Sequence, residues 1–281
     1  MAGQLAHLQQ MMKNYQQPAK VLAITSGKGG VGKTNIAANL AVCLAASNKK
    51  VLLIDADMSL GNLDIIMNIN SKYNITHMLS GKKNINEIIH AGPEGLEIIC
   101  GVSGLETLAD LGEFQRQRIL NELLKLQYSY ELIIIDTAAG IAKSVLCFCL
   151  ATDHVLVVTT PEATAMTDAY AMIKVLAGNR FPGKISLVVN MADTIAEGKK
   201  TYQQISHVAS RFLNCHIYDA GILLKDDKMC SAVKQRKPVV LAYPKAKITA
   251  SLAALAIKLN HGSTISQYEE GFFKKVVDWF F

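Results

Sequence analysis

Short apolar runs alternate with helix-patterned stretches along most of this 281-residue chain. Residues 21–24, 50–54, 96–100, 131–135, 154–160, 184–189 and 216–218 each read as a strand, most of them too continuously apolar to have a wet face. Between them, residues 35–46 are rich in strong helix formers, residues 113–128 form an amphipathic helix, Pro161-Glu162-Ala163-Thr164 starts a long helix, and residues 247–260 form an alanine- and leucine-rich closing one. Residues 70–95 are polar and broken by Gly81, Gly92 and Pro93, which predicts short helices and loops on the surface. Residues 101–112 read as a loop, and Asp64 as helix-start chemistry. The alternation predicts an α/β fold: a mostly parallel β-sheet flanked by helices on both faces.

Two amphipathic helices lie outside that alternation. In residues 1–17, Met1, Leu5, Leu8, Met12 and Tyr15 share one side, and Gln16-Gln17-Pro18 ends the run. This segment either packs on its own domain or serves as a docking peptide for a partner protein. Residues 18–262 make the main domain. In residues 263–281, Tyr268, Phe272, Phe273, Val276, Val277, Trp279 and Phe280 fall on one half of a helix, with Glu270, Lys274, Lys275 and Asp278 opposite. Leaving such side chains in water costs roughly 1.5–3 kcal/mol each. The stretch from Tyr268 to Phe281 is therefore expected to insert reversibly into a membrane surface, the alternative being a hydrophobic groove on its own domain or a dimer partner.

Composition narrows the class. Half the residues are hydrophobic and the net charge is +6, which excludes a disordered chain and leaves only weak attraction to anionic surfaces. No run of roughly 18 apolar residues is present to span a membrane, and the N-terminus lacks the apolar core of a signal peptide. Six cysteines without a C-x-x-C pair read as reduced, structural thiols of a cytoplasmic protein.

The chemistry starts where the first strand ends. Gly27-Lys28-Gly29-Gly30-Val31-Gly32-Lys33-Thr34 fits G-x-x-x-x-G-K-[ST], and Asn35 opens the helix behind it. The glycines let successive backbone N–H groups turn toward an anion, and the helix start adds its own unpaired N–H groups. Lys33 is placed to reach β and γ phosphates, and the Thr34 hydroxyl to reach Mg²⁺. The second strand ends in Asp55-Ala56-Asp57, at the carboxyl edge where ligands of such sheets gather. We assign Asp57 to the attacking water and Asp55 to the metal's hydration shell. The run ending in Asp136 reads as the strand whose carboxylate holds a water on Mg²⁺, and Thr-Ala-Ala-Gly140 after it as a flexible switch whose last N–H can meet a γ-phosphate. Asn190 can pair with the adenine edge, and Met191 stands where a guanine-reading lysine would be, so ATP is expected.

Lys28 is not needed to hold phosphate within one subunit. With it, KGGVGKT resembles the deviant P-loop of the MinD/ParA class of ATPases. IDADMSLGNLD and TTPEATAMTDAY, behind an N-terminal helix, resemble the flagellar-number regulators FlhG, FleN and YlxH. That resemblance implies a MinD-like fold, ATP and Mg²⁺ as cofactors, and slow, dimer-dependent hydrolysis. It implies that Lys28 reaches the partner's nucleotide in a homodimer, and that the last helix associates with the inner face of the cell membrane, at the pole in some members. It implies partners of two kinds: a FlhF-type GTPase and a FleQ-type transcription activator. The family's N-terminal D-Q-A-x-x-L-R motif survives here only as the glutamine and leucine of Gly3-Gln4-Leu5-Ala6-His7-Leu8-Gln9. Two rivals share the loop. A DNA-partitioning ParA-like ATPase would use a basic surface such as Lys234, Arg236 and Lys237, but would not need the aromatic tail. An iron–sulfur carrier would need paired thiolates. Direct specific binding to nucleic acid is not expected.

Overall fold

The computed structural model describes residues 18–57, 62–101, 121, 123–261 and 272–280. Its strands are β1 (Lys20–Ser26), β2 (Val51–Ala56), β3 (Ile89–Ala91), β4 (Glu97–Ile99), β5 (Leu132–Ala139), β6 (His154–Thr159), β7 (Lys184–Ala192) and β8 (Tyr218–Leu224). They form one eight-stranded sheet in the order β3-β4-β2-β5-β1-β6-β7-β8. All neighbours are parallel except β3 with β4. The longer helices are α1 (Lys33–Ala45), α2 (Lys143–Ala151), α3 (Ala163–Gly178), α4 (Ile195–Leu213), α5 (Asp227–Lys234), α6 (Lys247–His261) and α7 (Phe272–Phe280).

Alternation along the strands sorts the core into two layers. Val21 and Ala23 of β1, with Ile133 and Ile135 of β5, face the layer that holds α2, α3, α4 and α7. Leu22, Ile24 and Ile134 face the layer of α1, α5 and α6. The central strands are apolar on both faces because both are covered, which is why they read as unbroken runs. The expected α/β architecture is the observed one.

The details differ in four places. Residues 70–95 do form short helices (Ile75–Leu79 and a 3₁₀ turn, Ile85–Glu87), but Ile75, Met78, Ile85 and Ile88 are buried, so the segment caps a core layer. The same segment contributes β3, a three-residue antiparallel edge strand too short to show a period. The last strand lies at Tyr218–Leu224, later than residues 216–218, because its half-exposed edge position gives it only two fully buried residues, Ala220 and Leu223. β5 continues past Asp136 to Ala139, so the expected flexible turn is still strand.

The helix expected at residues 113–128 falls largely outside the described residues; residues 123–128 of it are helical, and the helix runs on to 129. Residues 1–17 lie outside them too. Of the C-terminal segment, α7 is described. It packs against α2, with Phe272, Phe273 and Val276 buried in the core layer and the Cys147 thiol 3.6 Å from the Val276 carbonyl. Among the described residues no helix is long and apolar enough to cross a membrane.

Candidate functional site

β1 runs buried from Val21 to Ser26 and delivers the glycine loop to the carboxyl edge of the sheet. The loop is held from inside: Ser26 Oγ donates to the Lys28 carbonyl at 2.6 Å. Two glycines are explained by the structure. A side chain on Gly27 would run into the Asp168 backbone of α3. Gly32 has φ +91° and would meet the Asn190 amide. Gly32 also begins α1, and no side chain caps that helix start. Its first N–H groups are therefore left for a ligand, and an anion is what satisfies them.

Behind the loop a charged floor is assembled from three elements. Asp55 and Asp136 are register partners on adjacent parallel strands, each 2% exposed. Burial, then repulsion from Asp55, pushes the Asp136 carboxyl up to about 7, against a hydrogen bond from Thr34 and the charge of Lys33. Burial likewise pushes Asp55 up to about 6, although the Asp57 N–H donates to its Oδ1 at 3.0 Å. Lys33 is 9% exposed, and burial lowers its pKa despite the nearby charges of Asp136 and Asp57. Thus Lys33, Thr34, Asp55, Asp57 and Asp136, spread over 104 residues of chain from position 33 to 136, are brought together. Asp136 Oδ1 is buried and has no hydrogen-bond partner among the described residues. An orphaned carboxylate oxygen beside a threonine hydroxyl and a second carboxylate is a hard-oxygen donor set, and Mg²⁺ with its waters fits it.

The other expected residues are placed as follows. Asn35 lies in the first turn of α1, and its carbonyl accepts from the side chain of the buried Asn39, which in turn accepts from Val240 N. Asn190 lies at the carboxyl end of β7, and one N–H of its amide donates to the Val31 carbonyl at 2.9 Å. The Gly140 N–H donates to the Ser26 carbonyl at 2.9 Å, tying the end of β5 to the end of β1. Asp64 is a helix-start residue as expected, its Oδ1 accepting from Ile65 N.

Gly29, Gly30 and Val31 line a cleft of about 450 Å³ with Lys28, Thr160, Glu162 and Met191; Lys225, also on its wall, bridges Asp193 at 3.0 Å. Lys28 stands apart from the charged floor and meets Glu162 and Thr164 at the head of α3. Reasoning along the sequence missed Glu162, Thr164, Asp168 and Asn39. The only signal was residues 159–170, whose wording pointed to a family before any contact could be assigned.

Comparisons with known proteins bear on the family and the fold. A family model described as an AAA domain matches residues 19–180. The chain is 32% identical over 243 residues to the antiactivator FleN of Pseudomonas aeruginosa, covering 86% of this chain and 87% of FleN. It is 36% identical over 254 residues to the flagellum site-determining protein YlxH of Helicobacter pylori, covering 90% and 84%. Among solved structures, the MinC:MinD cell division protein complex of Aquifex aeolicus matches with TM-score 0.70 and 28% identity, over 90% of this chain and all of that one.

Proposed function

The chain belongs to the MinD/ParA class of P-loop ATPases, close to the flagellar-number regulators FlhG and FleN, and we propose that it works as a dimerising ATP switch that sets the number or placement of flagella. ATP with Mg²⁺ is its nucleotide, and ATP hydrolysis its reaction. The observation that carries the proposal is the opposed placement of the two loop lysines. Lys33 is buried against the carboxylates of its own subunit, while Lys28 stands on the outer rim. Holding phosphate within one subunit does not require a second lysine there, and the nucleotide of a second subunit is the group it would serve.

The residue roles follow from position. The N–H groups from Gly29 to Thr34 and the start of α1 cradle the phosphates, and Lys33 neutralises them in a dry setting where its charge counts most. Thr34 and Asp136, with Asp55 behind, would hold Mg²⁺ and its waters, and the metal would supply charge stabilisation to the phosphates. Asp57, half-buried at the end of β2, orients the attacking water. Asn190 presents Oδ1 to the adenine amino group. Lys28 of each protomer stabilises the other's γ-phosphate, so hydrolysis waits for pairing. Gly140 trades its Ser26 contact for the γ-phosphate, and that exchange carries the state of the nucleotide along β5.

Membrane association is assigned to the segment ending in α7. Since Phe272, Phe273 and Val276 are seated in the core layer, that helix leaves its seat to reach lipid, and insertion has to offset the lost burial. A FlhF-type GTPase and a FleQ-type activator are the proposed protein partners, with residues 1–17 as the docking peptide. The protein is then cytoplasmic and reversibly peripheral to the membrane, at the pole. Sizing of the Asp57→Ala variant with saturating Mg·ATP tests the core of this reading. A dimer that reverts to monomer with ADP is expected, and a monomer in both nucleotides overturns it.

A further inference from the structure

A cavity of about 660 Å³ opens at the amino ends of β1, β5 and β6, at the opposite edge of the sheet from the nucleotide site. Its apolar wall is built by Leu44 from the last turn of α1, by Leu259 from the last turn of α6, and by Tyr128 and Leu132. Tyr128 is 51% exposed, a large ring left at the mouth. Pro18, where the described residues begin, lines the same cavity.

We propose that this cavity is the seat of the chain's own first segment: residues 1–17 turn back at Pro18 and lay Met12 and Tyr15 of their apolar stripe against Tyr128 and the two helix-end leucines. The inference goes beyond the reading of residues 1–17 as a docking peptide and stands without it. A partner that takes the same stripe has to draw it out of the cavity.

Three observations choose this occupant. First, the chain enters here. Ala19 N donates to the Gln127 carbonyl at 2.6 Å and Lys20 N to the Glu131 carbonyl at 3.1 Å, so the entry is clamped by the residues on either side of Tyr128. In a helix that stops before Pro18, Tyr15 and Met12 lie only about 4.5 and 9 Å back along the axis. Second, the charges on the wall largely answer one another. Asp153 accepts from Val21 N, and Glu131 accepts from Lys50 N and bridges Lys49. The cavity therefore does not select its occupant by charge, and residues 1–17 carry Lys13 as their one charged side chain. Third, an acceptor is open beside the entry. Gln127 Oε1 is buried and has no hydrogen-bond partner among the described residues, and Gln16 and Gln17, just ahead of Pro18, bring side-chain donors to it. Tethering makes weak contact sufficient. A short tether gives an effective concentration in the millimolar range, so a contact with a dissociation constant of about 0.1 mM stays about nine-tenths filled.

The test uses the full chain at several protein concentrations. Amide hydrogen exchange reads residues 1–17, and hydroxyl-radical footprinting reads Tyr128, with the exposed Tyr218 of β8 as internal control. In the parent, residues 1–17 should exchange up to about 10-fold more slowly than the same residues as a free peptide. Met12→Asp with Tyr15→Asp should remove that protection and raise the oxidation of Tyr128 several-fold, with Tyr218 unchanged. Lys13→Asp, on the polar side of the same helical pattern, should change neither reading. Unprotected residues 1–17 in the parent, or equal oxidation of Tyr128 in the parent and the double variant, overturns the inference. Protection that grows with protein concentration also overturns it, because a second copy's segment would then fill the cavity. The docking-peptide reading fails separately, when a free peptide of residues 1–17 leaves the turnover of a FlhF-type GTPase unchanged.

Discussion

At the amino ends of the strands most polar groups are paired off, a buried side-chain oxygen of Gln127 excepted. Asp153 accepts from Val21 N at 2.9 Å, Glu131 accepts from Lys50 N at 2.9 Å and bridges Lys49, His154 Nε2 shares a hydrogen bond with Ser186, and the Tyr130 hydroxyl donates to Glu97. At the carboxyl ends of the same sheet, two buried carboxylates stand side by side, one oxygen of Asp136 has no partner among the described residues, a desolvated lysine leans on them, and α1 starts without a side-chain cap. One end spends its polar groups on holding the fold. The other leaves them incomplete, and a metal–polyphosphate supplies both missing signs of charge at once. Desolvated, mutually repelling groups of this kind are tolerated because the surrounding strands over-determine their positions.

The largest expected effect breaks the carboxyl end. Lys33→Ala should lower ATP affinity by about 100-fold or more, through loss of a charged hydrogen-bond donor in a dry site, while the unfolding midpoint without nucleotide changes little. Unchanged affinity by calorimetry would remove Lys33 from the phosphate site. The amino end should break in acid instead. Burial, with Lys184 adding, lowers His154 to about 4. The unfolded chain takes a proton near pH 6.5, while the folded one resists until about 4. The contribution of His154 is therefore complete above pH 6.5 and is lost as pH falls toward 4, by on the order of 3 kcal/mol. Urea denaturation across that range should show the loss in the parent and a flatter profile in His154→Gln; identical profiles would argue against it. The smallest effect is expected from Asp153→Ala. Orphaning the Val21 N–H should cost about 1–3 kcal/mol of stability with ATP affinity untouched. A matching loss of affinity would mean that the two ends are coupled through β1.

Legibility along the chain followed the range of the interactions. The strand, loop and helix of residues 20–45 were readable because each element is specified by its own contiguous residues. Asp55 and Asp136 were readable because each ends an apolar run, and parallel strands ending at one edge put their last residues together. The edge strands were not: three residues at Ile89–Ala91 carry no period, and Tyr218–Leu224 is only partly covered. The aromatic stripe of α7 was visible in sequence, yet a stripe states that something apolar covers it and does not state what. Helix α2 and the core layer to which it belongs supplied the cover.

The sequence alone determined the α/β class, the phosphate loop and the carboxylates that share its edge, because local period and a contiguous glycine pattern need no distant residue to be read. Tertiary structure alone decided that Gly27 is required by Asp168, that Asn190 reaches Val31 with its amide, and that Lys28 meets Glu162 across 134 positions of chain. Those contacts depend on how closely helices approach the loop. Packing sets that distance, and no stretch of neighbouring residues encodes it.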